Sequence, residues 1–103
     1  MPNRNYEAGR RFEYEVKKAW EGRGYVVMRS SGSHGPFDLV AVEPGLFVTL
    51  IQCKVVKTDK EADALMSRFL GKDSIPHGHY DQMILIKVKG SKELRTASIM
   101  RKS

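Results

Sequence analysis

Phe37-Asp38-Leu39-Val40-Ala41-Val42 and, after a short apolar connection, Ile51-Gln52-Cys53-Lys54 are the segments on which the reading of this chain turns. Both lie in largely apolar stretches, and Pro44-Gly45 between them is a turn signal, so residues 39–43 and 46–54 are predicted as adjacent strands. Asp38 then opens the first strand, Gln52 and Lys54 share one face of the second, and Cys53 points the other way. An oxygen pair beside a lysine suits metal-assisted phosphodiester hydrolysis. Mg²⁺ takes hard oxygen ligands, and a cation is needed near the attacking water or the scissile phosphate.

An acid directly before Leu-Val-Ala-Val is poorly placed for a plain turn residue, so Asp38 is read as a site residue in preference to a loop cap. Gln52 and Lys54 stand in a strand otherwise made of Val48, Leu50, Ile51, Cys53, Val55 and Val56, where a buried polar pair is costly without a partner. A metal resolves that cost; an edge strand with both side chains in water is the alternative. Cys53, flanked on its own face by Ile51 and Val55, reads as a small core residue.

Upstream, Ser30 to Pro36 is a small-residue loop of the kind that lets backbone approach a ligand. Ser31 and Ser33 can donate to a phosphate through hydroxyl and backbone N–H groups, His34 can touch it and Arg29 can add charge, with turn formation as the competing role. Farther upstream, Phe12, Val16, Ala19 and Trp20 recur at amphipathic spacing and predict a helix from about Glu7 to Arg23, with Gly22 and Gly24 marking its end. Glu13 and Glu15 lie on opposite edges of its apolar stripe, so periodicity leaves both as candidates to reach a site.

Tyr25-Val26-Val27-Met28 is a short β-rich run. Beyond Lys54, Thr58-Asp59-Lys60-Glu61 has capping-box spacing, and Ala62, Leu65, Met66, Phe69 and Leu70 form a second helical stripe that Gly71 stops. Lys72 to His79 is predicted as loop, and Gln82–Val88 and Leu94–Met100 as strands hinged at Gly90-Ser91. His77-Gly78-His79 lacks a third ligand nearby in sequence and reads as loop surface. The order α-β-β-β-α-β-β predicts an α/β fold with a central mixed five-stranded sheet flanked by helices.

The 103 residues suit one domain spanning 1–103, with a single modest core. Eighteen Lys and Arg against twelve Asp and Glu give a formal charge of +6 spread along the chain, which points to a polyanionic partner. Nucleic acid is preferred over a membrane surface, since neither a long basic amphipathic helix nor a lipidation signal is present. One cysteine makes no internal disulfide, no apolar run is long enough to cross a bilayer, and no apolar signal-peptide core is seen. A cytoplasmic location, in a cell or encoded by a virus, is the expectation.

With these residues in hand the chain resembles archaeal-type Holliday-junction resolvases, a branch of the restriction-endonuclease-like nucleases with a PD-(D/E)xK core. The likeness runs from about Gly9 to Lys57. It rests on the Gly-x-x-x-Glu spacing of Gly9 and Glu13, on Gly24-Tyr25-Val26-Val27-Met28-Arg29-Ser30-Ser31-Gly32-Ser33, on Phe37-Asp38-Leu39-Val40-Ala41 and on Gln52-Cys53-Lys54. The resemblance implies a restriction-endonuclease-like fold and a Mg²⁺-dependent endonuclease, with Mn²⁺ substituting, that binds four-way DNA junctions as a homodimer and makes paired nicks. It assigns the helix acid to Glu13, the metal aspartate to Asp38, the catalytic lysine to Lys54, the loop serine to Ser31, and basic DNA contacts to Arg11 or Arg29.

Two residues depart from the family pattern: Phe37 stands where a proline precedes the aspartate, and Gln52 stands where the E-x-K pair has glutamate. The glutamine keeps a hard oxygen but loses a charge. Asp38, the Gln52 carbonyl, the Cys53 backbone carbonyl and waters are then the expected metal shell, with Glu13 reaching the ion through water or binding a second one. Met66, Phe69 and Leu70 are offered as a dimer interface, although a core-facing helix has the same stripe. A nuclease for flaps, mismatches or plain duplex, and a non-catalytic junction-binding protein, are the alternatives.

Overall fold

The computed structural model describes residues 4–30, 37–43, 47–72, 74–76 and 78–102. The elements follow the predicted order: α1 (Arg4–Glu21), β1 (Val26–Arg29), β2 (Leu39–Val42), β3 (Val48–Val56), α2 (Asp59–Gly71), β4 (Tyr80–Val88) and β5 (Leu94–Ile99). The strands form one mixed sheet in the order β1-β2-β3-β4-β5. All neighbours run antiparallel except β3 and β4, whose parallel pairing requires the crossover that α2 supplies.

Each helix covers a different part of the sheet on a different face. Phe12 and Val16 of α1 pack on Val27, Leu39, Ala41, Ile51 and Cys53, that is, on β1 to β3. Ala62 and Phe69 of α2 pack on Val56, Ile84, Ile86 and Val88, with Ala97 and Ile99 alongside, that is, on β3 to β5. The side-chain alternation of a strand explains how β3 serves both cores: Ile51, Cys53 and Val55 face α1, while Leu50 and Val56 face α2.

Local chemistry sets the boundaries. Gly24 and Gly90 have φ of 95° and 85°, a left-handed backbone that a Cβ disfavours, at the α1–β1 turn and the β4–β5 hairpin. Thr58 caps α2, its Oγ1 accepting the Glu61 N–H at 3.2 Å as the capping-box spacing predicts, while the Glu61 carboxylate reaches one residue beyond the cap to accept the Lys57 N–H. Gly71 does not stop this helix. It is the last helical residue, and Lys72 follows in right-handed conformation with its N–H donating to the Arg68 carbonyl.

Several boundaries shift from those predicted. Helix α1 begins before Glu7 and ends before Gly22, β1 and β3 slide one or two residues toward the C-terminus, and β4 starts at Tyr80, two residues before the predicted Gln82. Of the stripe offered as an interface, Phe69 is completely buried in the core and Met66 packs beside it, leaving Leu70 exposed. The Pro44-Gly45 turn lies outside the described residues. No described helix is long and apolar enough to cross a membrane.

Candidate catalytic site

Asp38 is placed by a break in strand geometry. Phe37 packs into the α2-side core and Leu39 into the α1-side core, although residues two apart in a regular strand face the same side. The chain therefore bends at Asp38 and turns its side chain along the sheet toward β3. The carboxylate Oδ2 accepts the Cys53 N–H at 2.8 Å. Its backbone is held as firmly: the Asp38 N–H donates to the Ile51 carbonyl at 2.8 Å, and the Asp38 carbonyl accepts the Ser30 N–H at 2.9 Å. Because β2 pairs with β3 only as far as Leu39 opposite Ile51, Cys53 lies beyond the ladder, with its N–H and carbonyl directed to the edge that Asp38 occupies.

Helix α1 closes this edge into a cavity of about 260 Å³ lined by Gly9, Arg10, Glu13, Arg29, Asp38, Cys53, Lys54 and Val55. Two acids and three cations from α1, β1, the bend before β2 and β3 thus meet in one recess. The ambiguity between the helix acids is resolved in space. Glu13 lines the cavity, whereas Glu15 sits on the other flank of α1, 3.8 Å from the Lys87 Nζ. A larger, mostly apolar cleft of about 480 Å³ between α1 and the β4–β5 face contains Glu15 but neither cavity acid.

Glu13 is the electrostatically perturbed group of the recess. Burial pushes its carboxyl above the ordinary value and the Asp38 charge adds to this, while Arg29 and Lys54 oppose them. Its contact with the Arg29 guanidinium is long, 3.7 Å. Burial, and then the charges of Asp38 and Glu13, push the Cys53 thiol far above the usual range, so Cys53 contributes its backbone to the site and a neutral side chain to the core.

Gln52 departs from the expected placement. It does not line the cavity, and the edge-strand alternative fails, because β3 lies between β2 and β4. The residue is 6% exposed, and its Oε1 is buried with no hydrogen-bond partner among the described residues. Lys54, two residues on, is exposed at the cavity. Arg29 lines the recess as expected, while Arg11 lies on surfaces outside it. Ser31, Ser33, His34 and His77 lie outside the described residues; His79 is exposed.

Two residues at the site were not singled out from sequence, Arg10 and Tyr14. Arg10 lines the cavity, and Tyr14 carries the Arg29 guanidinium 4.7 Å above its ring. A signal was present: an aromatic on the polar side of α1, next to the candidate acid and four residues after an arginine, is unexplained by core packing.

The fold is of the restriction-endonuclease-like class, and within it a bend-held aspartate, a lysine three residues past the end of the β2–β3 ladder and a helix acid line one recess. The model of the archaeal Holliday junction resolvase (Hjc) family matches residues 4–62, more than half of the chain, and the chain belongs to that family. Among solved structures it is similar to Hjc of Archaeoglobus fulgidus, a Holliday junction resolvase from an archaeal hyperthermophile. The two are 19% identical with a TM-score of 0.53, over 86% of this chain and 70% of that one. No curated protein sequence matches. Family membership makes the chain an endonuclease that acts on branched DNA and resolves four-way junctions, in a family whose nucleases depend on metal.

Proposed function

We propose that the recess between α1 and the β2–β3 edge is the Mg²⁺-dependent cleavage site of this resolvase, with Mn²⁺ able to substitute. The observation that carries the reading is the meeting of Glu13, Asp38 and Lys54 in one cavity, with one Asp38 oxygen held by the Cys53 N–H. The donor set suits a hard cation: the Asp38 carboxylate, the Cys53 carbonyl on the same edge, and Glu13 at water-mediated reach. Gln52, whose buried Oε1 has no partner among the described residues, lies outside the recess lining and would join this set only by turning toward Asp38. When bound, the metal supplies charge neutralisation at the phosphate and a more acidic water.

The chain's own residues do the rest. Asp38 keeps its orientation through three hydrogen bonds and needs no reorganisation on binding. Lys54 presents an ammonium at the mouth of the recess to orient the attacking water or stabilise the extra negative charge of the pentavalent phosphate. Arg10 and Arg29 hold the DNA backbone against the cavity, and Ser31, Ser33, His34 and Arg11 extend the DNA contact. Two nicks need two recesses and each chain carries one, so the working form is a twofold homodimer matching the symmetry of the junction. It acts in the cytoplasm, on the DNA of a cell or of a virus.

A labelled synthetic four-way junction and its matching duplex, incubated with protein and Mg²⁺, test this directly. Symmetrical nicks in the junction alone are expected, with Asp38→Asn binding the junction but leaving it uncut. Junction binding without cutting by the wild type, with cutting appearing in Gln52→Glu, would instead identify a binding protein made so by its glutamine.

A further inference from the structure

Tyr14 sits on the exposed side of α1 beside Glu13 and is 40% exposed, an unusual position for an aromatic that packs into neither core. It is engaged by cations. The Arg29 guanidinium lies 4.7 Å from its ring centroid, and Arg10 lies 5.8 Å from it. Arg29 Nη1 also donates to the Tyr14 hydroxyl at 3.2 Å.

The rest of the Arg29 guanidinium is underused. A guanidinium has five N–H donors, yet its Nε is buried without a partner among the described residues, and Nη2 stands 3.7 Å from Glu13, too far for a hydrogen bond. An arginine this close to a carboxylate ordinarily closes into a short two-pronged pair. Here Tyr14 engages it instead, through its ring and its hydroxyl. That matters at both ends, because a closed pair would neutralise Glu13 and use up the donors a phosphate needs.

Resting on the functional reading above, we propose that Tyr14 is a positioning residue: it holds the Arg29 guanidinium off Glu13 and open to a DNA phosphate at the mouth of the catalytic recess. The ring does most of this by stacking, and the hydroxyl fixes the rotation of the guanidinium in its plane. Tyr14 acts through Arg29, so its effect on DNA vanishes when Arg29 is absent.

A double-mutant cycle tests the idea. Junction affinity is measured in EDTA for wild type, Tyr14→Phe, Tyr14→Leu, Arg29→Ala and the Tyr14→Leu/Arg29→Ala pair. Tyr14→Leu is expected to weaken binding about tenfold and Tyr14→Phe less than threefold, with Tyr14→Leu adding nothing in the Arg29→Ala background. In single-turnover cleavage the loss falls mainly on half-saturating DNA concentration. Equal losses from Tyr14→Leu with and without Arg29 would overturn the proposal, since Tyr14 would then touch DNA itself. Arginine side-chain NMR of the DNA-free proteins gives a separate readout: the Arg29 donors of Tyr14→Leu should become protected by Glu13, and that protection should disappear on Glu13→Gln. Unchanged Arg29 signals in Tyr14→Leu would sink the positioning role. Wild type that ignores junctions would refute the functional reading alone, with the NMR result still deciding what Tyr14 does.

Discussion

Gln52 places a neutral amide where the family pattern has a carboxylate, and its buried Oε1 has no partner among the described residues. Gln52→Glu buries a carboxylate in a position that is 6% exposed, which is unfavourable without a cation and favourable with one. The variant should therefore unfold at lower temperature than wild type in EDTA and gain more from added Mg²⁺. Mn²⁺ titration followed by electron paramagnetic resonance should show roughly tenfold tighter binding, because ligand charge sets affinity for hard cations. Cys53 makes the opposite prediction. Its thiol is buried and held neutral, so alkylation by iodoacetamide should be slow in the native protein and fast once it is unfolded. The core role of Cys53 was legible from its flanking apolar residues. The burial of Gln52 was the preferred reading too, while its place outside the recess was not legible, because alternation along one strand does not say where the neighbouring elements leave a cavity.

At the level of elements, helix and strand periodicity carried the reading well, since both cores are built from the stripes that sequence exposes. Tertiary pairing moved the boundaries. Strand β4 extends back to Tyr80 because β3 offers a parallel partner from Val48 onward, which no local signal in Tyr80-Asp81 announces. Gln82 shows the same limit. It is 1% exposed, and its amide both accepts the Ile75 N–H and donates to the Ile75 carbonyl, each at 2.9 Å, pinning the segment between α2 and β4. Gln82→Leu keeps the bulk but orphans both backbone groups and should destabilise the protein by about 1–3 kcal/mol in denaturant melts. Thr58→Ala, which removes the cap of α2, should cost about 1 kcal/mol in the same assay.

Across the whole molecule, the formal charge of +6 leads to the expectation that junction affinity falls steeply with salt. Plotting log affinity against log salt concentration, Arg29→Ala should lower the slope by about one if the residue holds a phosphate. The layered architecture gives β3 a distinctive role, for it carries buried side chains into both cores, Ile51 and Cys53 on one side and Val56 on the other. Loosening either helix layer leaves the other still clamping that strand. The Cys53 amide, which holds Asp38, should then exchange with deuterium only through global opening, among the slowest amides of the chain. A molecule that has lost either helix layer would accordingly still keep Asp38 beside Lys54, and only global unfolding by heat or denaturant would part them.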